Sequence, residues 1–202
     1  MTPLNPAARV AVPTMNAIDE DAAQELRRQL FSDSAVYVYA VLDGASVPDL
    51  LPKLYEAMPE FECLYRGELE PDMAEVAPYL VCLEPDTYFA DWVMDNGWGS
   101  HWGIYAAAYA GFRDMRKHFR KFLTVYDPEG RPMLFRYYDP RVIRSYLPTC
   151  SDEELLTVFG PVSCYMLEGE DANTLLRFRL DADGLRQEGR TLGTRPIVAE
   201  QE

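Results

Sequence analysis

Short apolar runs that alternate with helical stretches are the feature that most limits the folds open to this chain. Helical periodicity covers residues 18–31 and 87–95, and a further helix is expected to begin at an Asp49 cap. Four runs rich in β-branched and aromatic residues are typical of buried strands: residues 35–42, 61–66, 79–84 and 103–109. Strands that alternate with helices predict an α/β fold, with an amino-terminal lobe around a central, largely buried sheet.

The second half of the chain predicts a smaller α+β lobe. A hairpin is expected around a turn at 128–131, with its second strand over 133–138. Asp139 precedes a proline and predicts a helix start, and Ser151 with Glu154 predicts a capping box. We divide the chain into an arm with a helix, an α/β lobe and a smaller lobe with a frayed tail of about twelve residues: 1–34, 35–138 and 139–202.

Charge is distributed unevenly along the 202 residues, which carry a formal net charge of −14. Residues 1–110 hold 5 basic and 18 acidic side chains, and residues 145–202 hold 5 and 11, whereas residues 111–144 hold 9 and 4. An acidic body repels nucleic acid and anionic membranes, because phosphate binding needs clustered Lys and Arg. We therefore expect no nucleic acid partner, and the basic segment favours a protein partner or a small anion.

The basic segment contains the clearest amphipathic helix, over residues 111–123. Its basic side chains fall within an arc of about 140°, and His118 beside them is predicted to be solvated. A solvated charged face is the alternative to a docking surface. The predicted partner-binding residues are those of this arc with two arginines of the next helix: Arg113, Arg116, Lys117, Arg120, Lys121, Arg141 and Arg144.

Two segments are predicted to be structural. Alternation over 133–138 would put Arg136 and Tyr138 on one strand face. Arg136 is expected to pair with the helix-capping Asp139 and so lock strand to helix. The glycine-rich stretch 96–103 is predicted to be a turn pinned by two tryptophans, Trp98 and Trp102. The residues with expected structural roles are Trp102, Gly103, Arg136, Tyr138, Asp139 and Pro140.

Catalytic motifs are missing from the sequence. It has no nucleophile elbow, phosphate loop or dinucleotide fingerprint, and its four cysteines form no C-x-x-C pair, so we expect reduced thiols and neither metal nor cofactor. One enzymatic alternative stays open. Asp43, Glu84 and Asp86 follow predicted strands and could meet at one sheet edge, with His101 as a base. Turn and capping roles explain Asp43 and Asp86 more simply.

Targeting signals are also missing. No apolar run approaches the length of a membrane-spanning helix, and the first residues lack a charged region followed by an apolar one. We expect a cytoplasmic protein.

Several short blocks, taken in order, make the sequence look familiar. The blocks are VYAVLDGA at 38–45, Trp102-Gly103, Arg120-Lys121-Phe122, Phe135–Arg141 and Phe159-Gly160-Pro161. Over residues 35–168 the chain closely resembles a domain-of-unknown-function family of type VI secretion effector chaperones, also called adaptors. Phe119 stands where that pattern has Leu, which keeps the face apolar.

The resemblance implies a role without catalysis. Members of the family bind a toxic effector in the producing cell and load it onto the VgrG spike, and they are described as an α/β lobe with a smaller carboxy-terminal lobe. The partners implied are therefore an effector and VgrG, with no catalytic residues to transfer. Two alternatives stay open: an immunity protein that blocks a toxin, and a hydrolase-like α/β enzyme.

Overall fold

The fold is organised around one antiparallel sheet. The computed structural model describes residues 19–127 and 129–193. Within these residues seven strands pair in the order β2-β3-β1-β4-β7-β8-β9, and β5 pairs with β6 as a separate hairpin. The strands are β1 Tyr37–Asp43, β2 Phe61–Cys63, β3 Pro78–Leu83, β4 Gly103–Ala108, β5 Thr124–Tyr126, β6 Pro132–Leu134, β7 Val162–Glu168, β8 Thr174–Asp181 and β9 Gly184–Thr191.

Seven α-helices of the described residues pack around this sheet. They are α1 Glu20–Leu30, α2 Leu50–Ala57, α3 Pro71–Glu75, α4 Tyr88–Gly97, α5 Phe112–Arg120, α6 Pro140–Tyr146 and α7 Asp152–Phe159, with a 3₁₀ turn at Leu147–Thr149. The mixed α/β class predicted from the alternation is confirmed. None of the helices over 19–127 and 129–193 is long and apolar enough to cross a membrane.

Strand β1, in the interior of the sheet, is buried on both faces, which explains its continuous apolar sequence. Val38 and Ala40 face a core that α1, α2 and α4 cover, whereas Tyr39 and Val41 face a second core under α5, α6 and α7. Period-two alternation therefore divides the molecule into two layers of helices on either side of the sheet. This arrangement decides which surfaces belong to the same face.

The strands after residue 138 extend the sheet that the earlier strands form. β7 pairs with β4, with Met166 opposite Tyr105, and β8 and β9 follow it outward. The predicted lobe boundary at 138 therefore falls between elements that share one sheet, and the boundary itself stays a prediction.

The helix starts predicted from Asp139 and Ser151 are confirmed, and α1 has a cap, Asp19, that was not predicted. Asp19 accepts the Ala22 amide at 2.8 Å, and the Ser151 box forms both of its bonds at the start of α7. The predicted start of α2 after Asp49 is confirmed, but the side-chain cap is not formed. Asp49 precedes the helix in a left-handed conformation (φ 56°), and its side chain accepts no capping bond from the described chain.

Two predicted strands end early and one strand was not predicted. Pairing stops at Cys63 rather than residue 66, and at Leu134 rather than residue 138. β9 has a polar sequence without an apolar pattern, and its pairing with β8 creates it.

Residues 191–193, at the start of the tail predicted to be frayed, are described by the structure. Leu192 is buried, and its amide donates to the Asn173 carbonyl at 2.6 Å. The predicted arm at 1–17, the turn residue Pro128 and residues 194–202 lie outside the described residues.

Candidate functional site: a charged edge of the sheet

Three strand ends meet at one edge of the sheet. β1 and β4 run antiparallel, so β1 ends beside the start of β4, and the Asp43 amide donates to the Trp102 carbonyl at 2.8 Å. β7 also runs antiparallel to β4, which brings Glu168 to the same edge. We call this region the charged edge and define it by six residues: Asp43, His101, Arg136, Asp139, Arg141 and Glu168.

The approach to β4 is fixed by close packing. A β-carbon at Gly103 would collide with the Val41 carbonyl oxygen, so only glycine lets the two strands approach here. Trp98 and Trp102 are both buried, as the predicted turn required. The Trp98 indole donates to the Ala172 carbonyl at 2.6 Å, and the Trp102 ring lies 5.0 Å from that of Trp92. The turn that carries His101 is therefore held at both ends.

Asp43 and Arg136 form a salt bridge across 93 positions of sequence. The Asp43 side chain is only 2% exposed, and it also accepts the Ser46 hydroxyl at 2.8 Å and the Ala45 amide at 3.2 Å. Arg136 is 43% exposed, so its guanidinium is shared between the buried carboxylate and solvent. The predicted pairing of Arg136 with Asp139 was wrong, because residues 136–139 turn instead of continuing the strand: the Asp139 amide donates to the Arg136 carbonyl.

Asp139 instead serves the helix that it begins. It caps α6 by accepting the Arg141 amide at 2.9 Å, and it holds the Arg141 guanidinium at 2.6 and 3.0 Å. Burial would raise the pKa of Asp139, but the bonds from Arg141 outweigh it and lower that pKa. Tyr138 and Pro140, on either side of Asp139, are buried.

The third pair at this edge joins Glu168 to His101. The Glu168 carboxylate is 4% exposed and contacts Nδ1 of His101, the backbone amide of His101 at 3.1 Å and the amide of Gly99. Burial raises the pKa of Glu168, although the histidine and the two amides oppose the shift. His101 adopts a left-handed backbone (φ 58°), which brings its amide and its ring onto one carboxylate.

The three pairs share one arrangement. Each places a carboxylate inside the protein with a more exposed basic side chain over it, and in two of the pairs that side chain is an arginine. Arg144 continues this edge and donates to the Glu168 carbonyl at 3.1 Å. Two of the predicted partner-binding residues, Arg141 and Arg144, therefore lie here.

The predicted basic arc on α5 divides into internal and external members. Arg120 donates to the carbonyls of Cys63, Leu64 and Tyr65 at 2.7 to 3.2 Å, and Arg116 pairs with Glu62. These two arginines attach α5 to the segment where β2 leaves the sheet. The backbone carbonyls of that segment have lost their strand partners, and Arg120 supplies donors to them.

Three members of the arc point outward and keep their charges exposed: Arg113, Lys117 and Lys121. Of these three, only Lys117 has an ion-pair partner among the described residues, Asp114 at 3.5 Å. Together with Arg141 they form what we call the basic face, on the side of the sheet that α5 and α6 cover. Partner binding by these residues stays a prediction.

His118 was wrongly predicted to be solvated. It is 4% exposed, and its Nε2 lies 2.9 Å from the Val158 carbonyl. Burial lowers the pKa of His118 to about 4, so the ring is neutral at pH 7 and Nε2 donates the proton. Gly160 (φ 45°) makes room for it, since a β-carbon there would lie 2.7 Å from the ring.

The three carboxylates of the enzymatic alternative do not meet at one place, although Asp43 and His101 both belong to the charged edge. Asp43 lies opposite Pro78 at the start of β3, whereas Glu84 and Asp86 follow the other end of that strand. β3 has six residues, a length of roughly 20 Å. The expectation that these carboxylates meet at one edge was wrong, because it assumed parallel strands.

Sequence reasoning missed the importance of Glu168 and the correct partner of Arg136. Glu168 ends an apolar run and could only be read as the last residue of a strand. One signal in the sequence did point to this site, namely the short blocks that resemble the effector-chaperone family. Asp43, Trp102 and Arg136 belong to three separate blocks, and the fold brings all three together.

The comparison with known families supports the family resemblance. The sequence model of a domain of unknown function, DUF4123, matches residues 38–156, which is 119 of the 202 residues. The chain belongs to the DUF4123 family. No curated protein and no solved structure is significantly similar to it. The matched range contains every residue of the charged edge except Glu168.

Proposed function

We propose that this DUF4123 protein is a cytoplasmic, non-enzymatic adaptor that binds a type VI secretion effector and loads it onto the VgrG spike. The family match over residues 38–156 is the observation that carries the proposal. DUF4123 proteins are known as effector adaptors of this secretion system. A function in binding also agrees with the distance between Asp43 and Glu84, because the enzymatic alternative needed these two carboxylates to meet.

The charge pattern supports a role in binding proteins. The body of the chain is acidic, yet three outward cations of α5 and Arg141 of α6 lie on the same side of the sheet. Rim charges of this kind steer association and select partners more than they add affinity. The basic face is therefore the proposed contact for an acidic surface of one partner.

Affinity purification of the tagged protein from cells that express the secretion system tests the proposal. We expect a spike protein and a large toxin-domain polypeptide to be recovered together, identified by mass spectrometry. Recovery of a toxin alone, with its active site blocked, would instead identify an immunity protein. Recovery of neither partner would contradict the adaptor function.

A charge-reversal pair tests the basic face. Arg113→Glu with Lys121→Glu should reduce recovery of one partner several-fold, because both side chains are exposed on α5. The matched control is Arg179→Glu with Arg190→Glu, two exposed arginines of β8 and β9 that change the net charge equally. Equal losses in both variants would show that only overall charge matters, and would exclude a specific role for α5.

A further inference from the structure

An open groove lies at the other end of the strands from the charged edge. It forms where α2 ends, β3 ends and α4 begins, and it has a volume of about 420 Å³. Leu83 and Phe89 are buried at its floor, and Cys82 also lines it. Its size suits a single large side chain with part of the backbone that carries it.

The walls of the groove are apolar and exposed to solvent. Met58 is 73% exposed and Tyr88 is 58% exposed, and the described chain leaves both mostly uncovered. Lys53 holds Tyr88 in place, with its ammonium 2.8 Å from the tyrosine hydroxyl. Exposed apolar side chains beside a concave floor are typical of interaction sites.

The rim of the groove is acidic. Glu56, Glu60 and Glu84 line it, and within the described residues only Glu56 has a cationic partner, Lys53. The Glu60 carbonyl accepts the Cys82 amide at 2.8 Å, which places Glu60 across from the strand that Glu84 follows. Burial raises the pKa of Cys82 to about 11, and the negative charges of Glu60 and Glu84 nearby contribute to the shift.

We propose that this groove binds a partner polypeptide segment in which a large apolar side chain is flanked by lysines or arginines. The apolar floor and walls would hold the large side chain, and the unpaired carboxylates at the rim would attract the flanking cations. The inference rests on the proposed function for the origin of the segment, which comes from one of the two adaptor partners. The groove and the basic face carry opposite charge at separate places, so each selects a different partner surface.

Peptide binding by the full-length protein tests the groove without any secretion partner. The probe is a fluorescent synthetic peptide with a Leu-Trp pair flanked on both sides by lysines, and binding is measured by anisotropy. Two comparison peptides replace the lysines with glutamates or the Leu-Trp pair with serines. We expect the first peptide to bind, with an affinity that falls as salt rises, and both comparison peptides to bind much more weakly.

Charge reversal at the rim supplies the second arm. Glu60→Lys with Glu84→Lys should weaken the lysine-flanked peptide by roughly tenfold or more. The matched control is Glu68→Lys with Glu170→Lys. These two exposed acids follow the ends of β2 and β7, at the other end of the strands from the groove, so their replacement should leave binding within about twofold. Thermal melting checks that both variants fold.

Several outcomes would overturn the inference. Equal binding of the three peptides, or equal weakening by rim and control variants, would show that the groove does not select this chemistry. A dimer that the rim variant dissociates, seen by sedimentation, would assign the groove to a second copy of the chain. If the wild-type protein and the rim variant recover the same partners from cells, the adaptor function stands and the groove assignment fails.

Discussion

At the scale of single residues, the charged edge depends on carboxylates that are buried and cations that are not. Asp43 has almost no contact with solvent, so its charge is stabilised by Arg136 and by two local donors, the Ser46 hydroxyl and the Ala45 amide. A buried charge that loses its partner costs more than the pair contributed, because the desolvation penalty remains.

Replacement of Arg136 should therefore destabilise the fold. We expect Arg136→Gln to lower the free energy of unfolding by about 1–3 kcal/mol, less than for a fully buried pair because Arg136 is half exposed. Urea denaturation measures the change. Arg113→Gln, at an exposed position of α5, is the control and should change stability by less than about 0.5 kcal/mol. A native-like midpoint for Arg136→Gln would show that the pair does not stabilise the fold.

His118 gives the protein a predictable response to acid. Its folded pKa of about 4 lies below the value of about 6.5 expected for an unfolded histidine, so the unfolded state binds the proton more readily. The stability that this histidine contributes is present above pH 6.5 and is lost as the pH falls toward 4. By pH 5 the loss amounts to about 2 kcal/mol.

His118→Gln should remove that part of the pH dependence. The glutamine amide can still donate to the Val158 carbonyl, but it does not titrate. Denaturation of both proteins at pH 7.5 and pH 5 should show a smaller drop for the variant. Identical drops would mean that other groups, such as Asp139 with its lowered pKa, cause the whole acid response.

At the scale of elements, local signals in the sequence predicted what local interactions decide. The caps of α6 and α7 depend on residues within one turn, and the hairpin depends on a tight turn, so each could be identified. The partner of Arg136 could not be identified in this way. Two aspartates were chemically equivalent candidates, and only the turn at 136–139 selects the distant Asp43 over the nearby Asp139.

The direction in which the strands pair was the second feature that the apolar pattern of the sequence did not predict. Apolar runs predict buried strands, but the same runs suit parallel and antiparallel pairing. The antiparallel order places Asp43 with Glu168 and separates it from Glu84. For the same reason, the amphipathic pattern of α5 did not reveal that Arg120 turns inward, since its acceptors are carbonyls about 56 positions away.

The attachment of α5 to β2 can be tested through Arg120. Arg120→Met removes the donors to three strand-end carbonyls, and we expect a loss of about 1–3 kcal/mol in the free energy of unfolding. Hydrogen exchange should become faster at the Leu64 amide, which donates to Pro78 at 2.8 Å. Lys121→Met, at an exposed neighbour, should change neither quantity; unchanged exchange in Arg120→Met would contradict the attachment.

At the scale of the whole molecule, the protein combines one continuous sheet with surfaces of opposite charge. The basic face lies over the core that α5 and α6 cover, and the acid-rimmed groove lies at the sheet edge beside α2 and α4. An adaptor has to hold two partners at once, and separate surfaces allow this without competition. The strand that borders the groove and the strands under α5 and α6 belong to one hydrogen-bonded sheet.

The most direct test of the proposed function is the mass of the complex recovered in affinity purification, which it predicts to contain the chain, an effector and the VgrG spike. Native mass spectrometry of the purified mixture should show one species that contains all three polypeptides. Binary complexes alone, with either partner displacing the other, would contradict the claim that the protein bridges them.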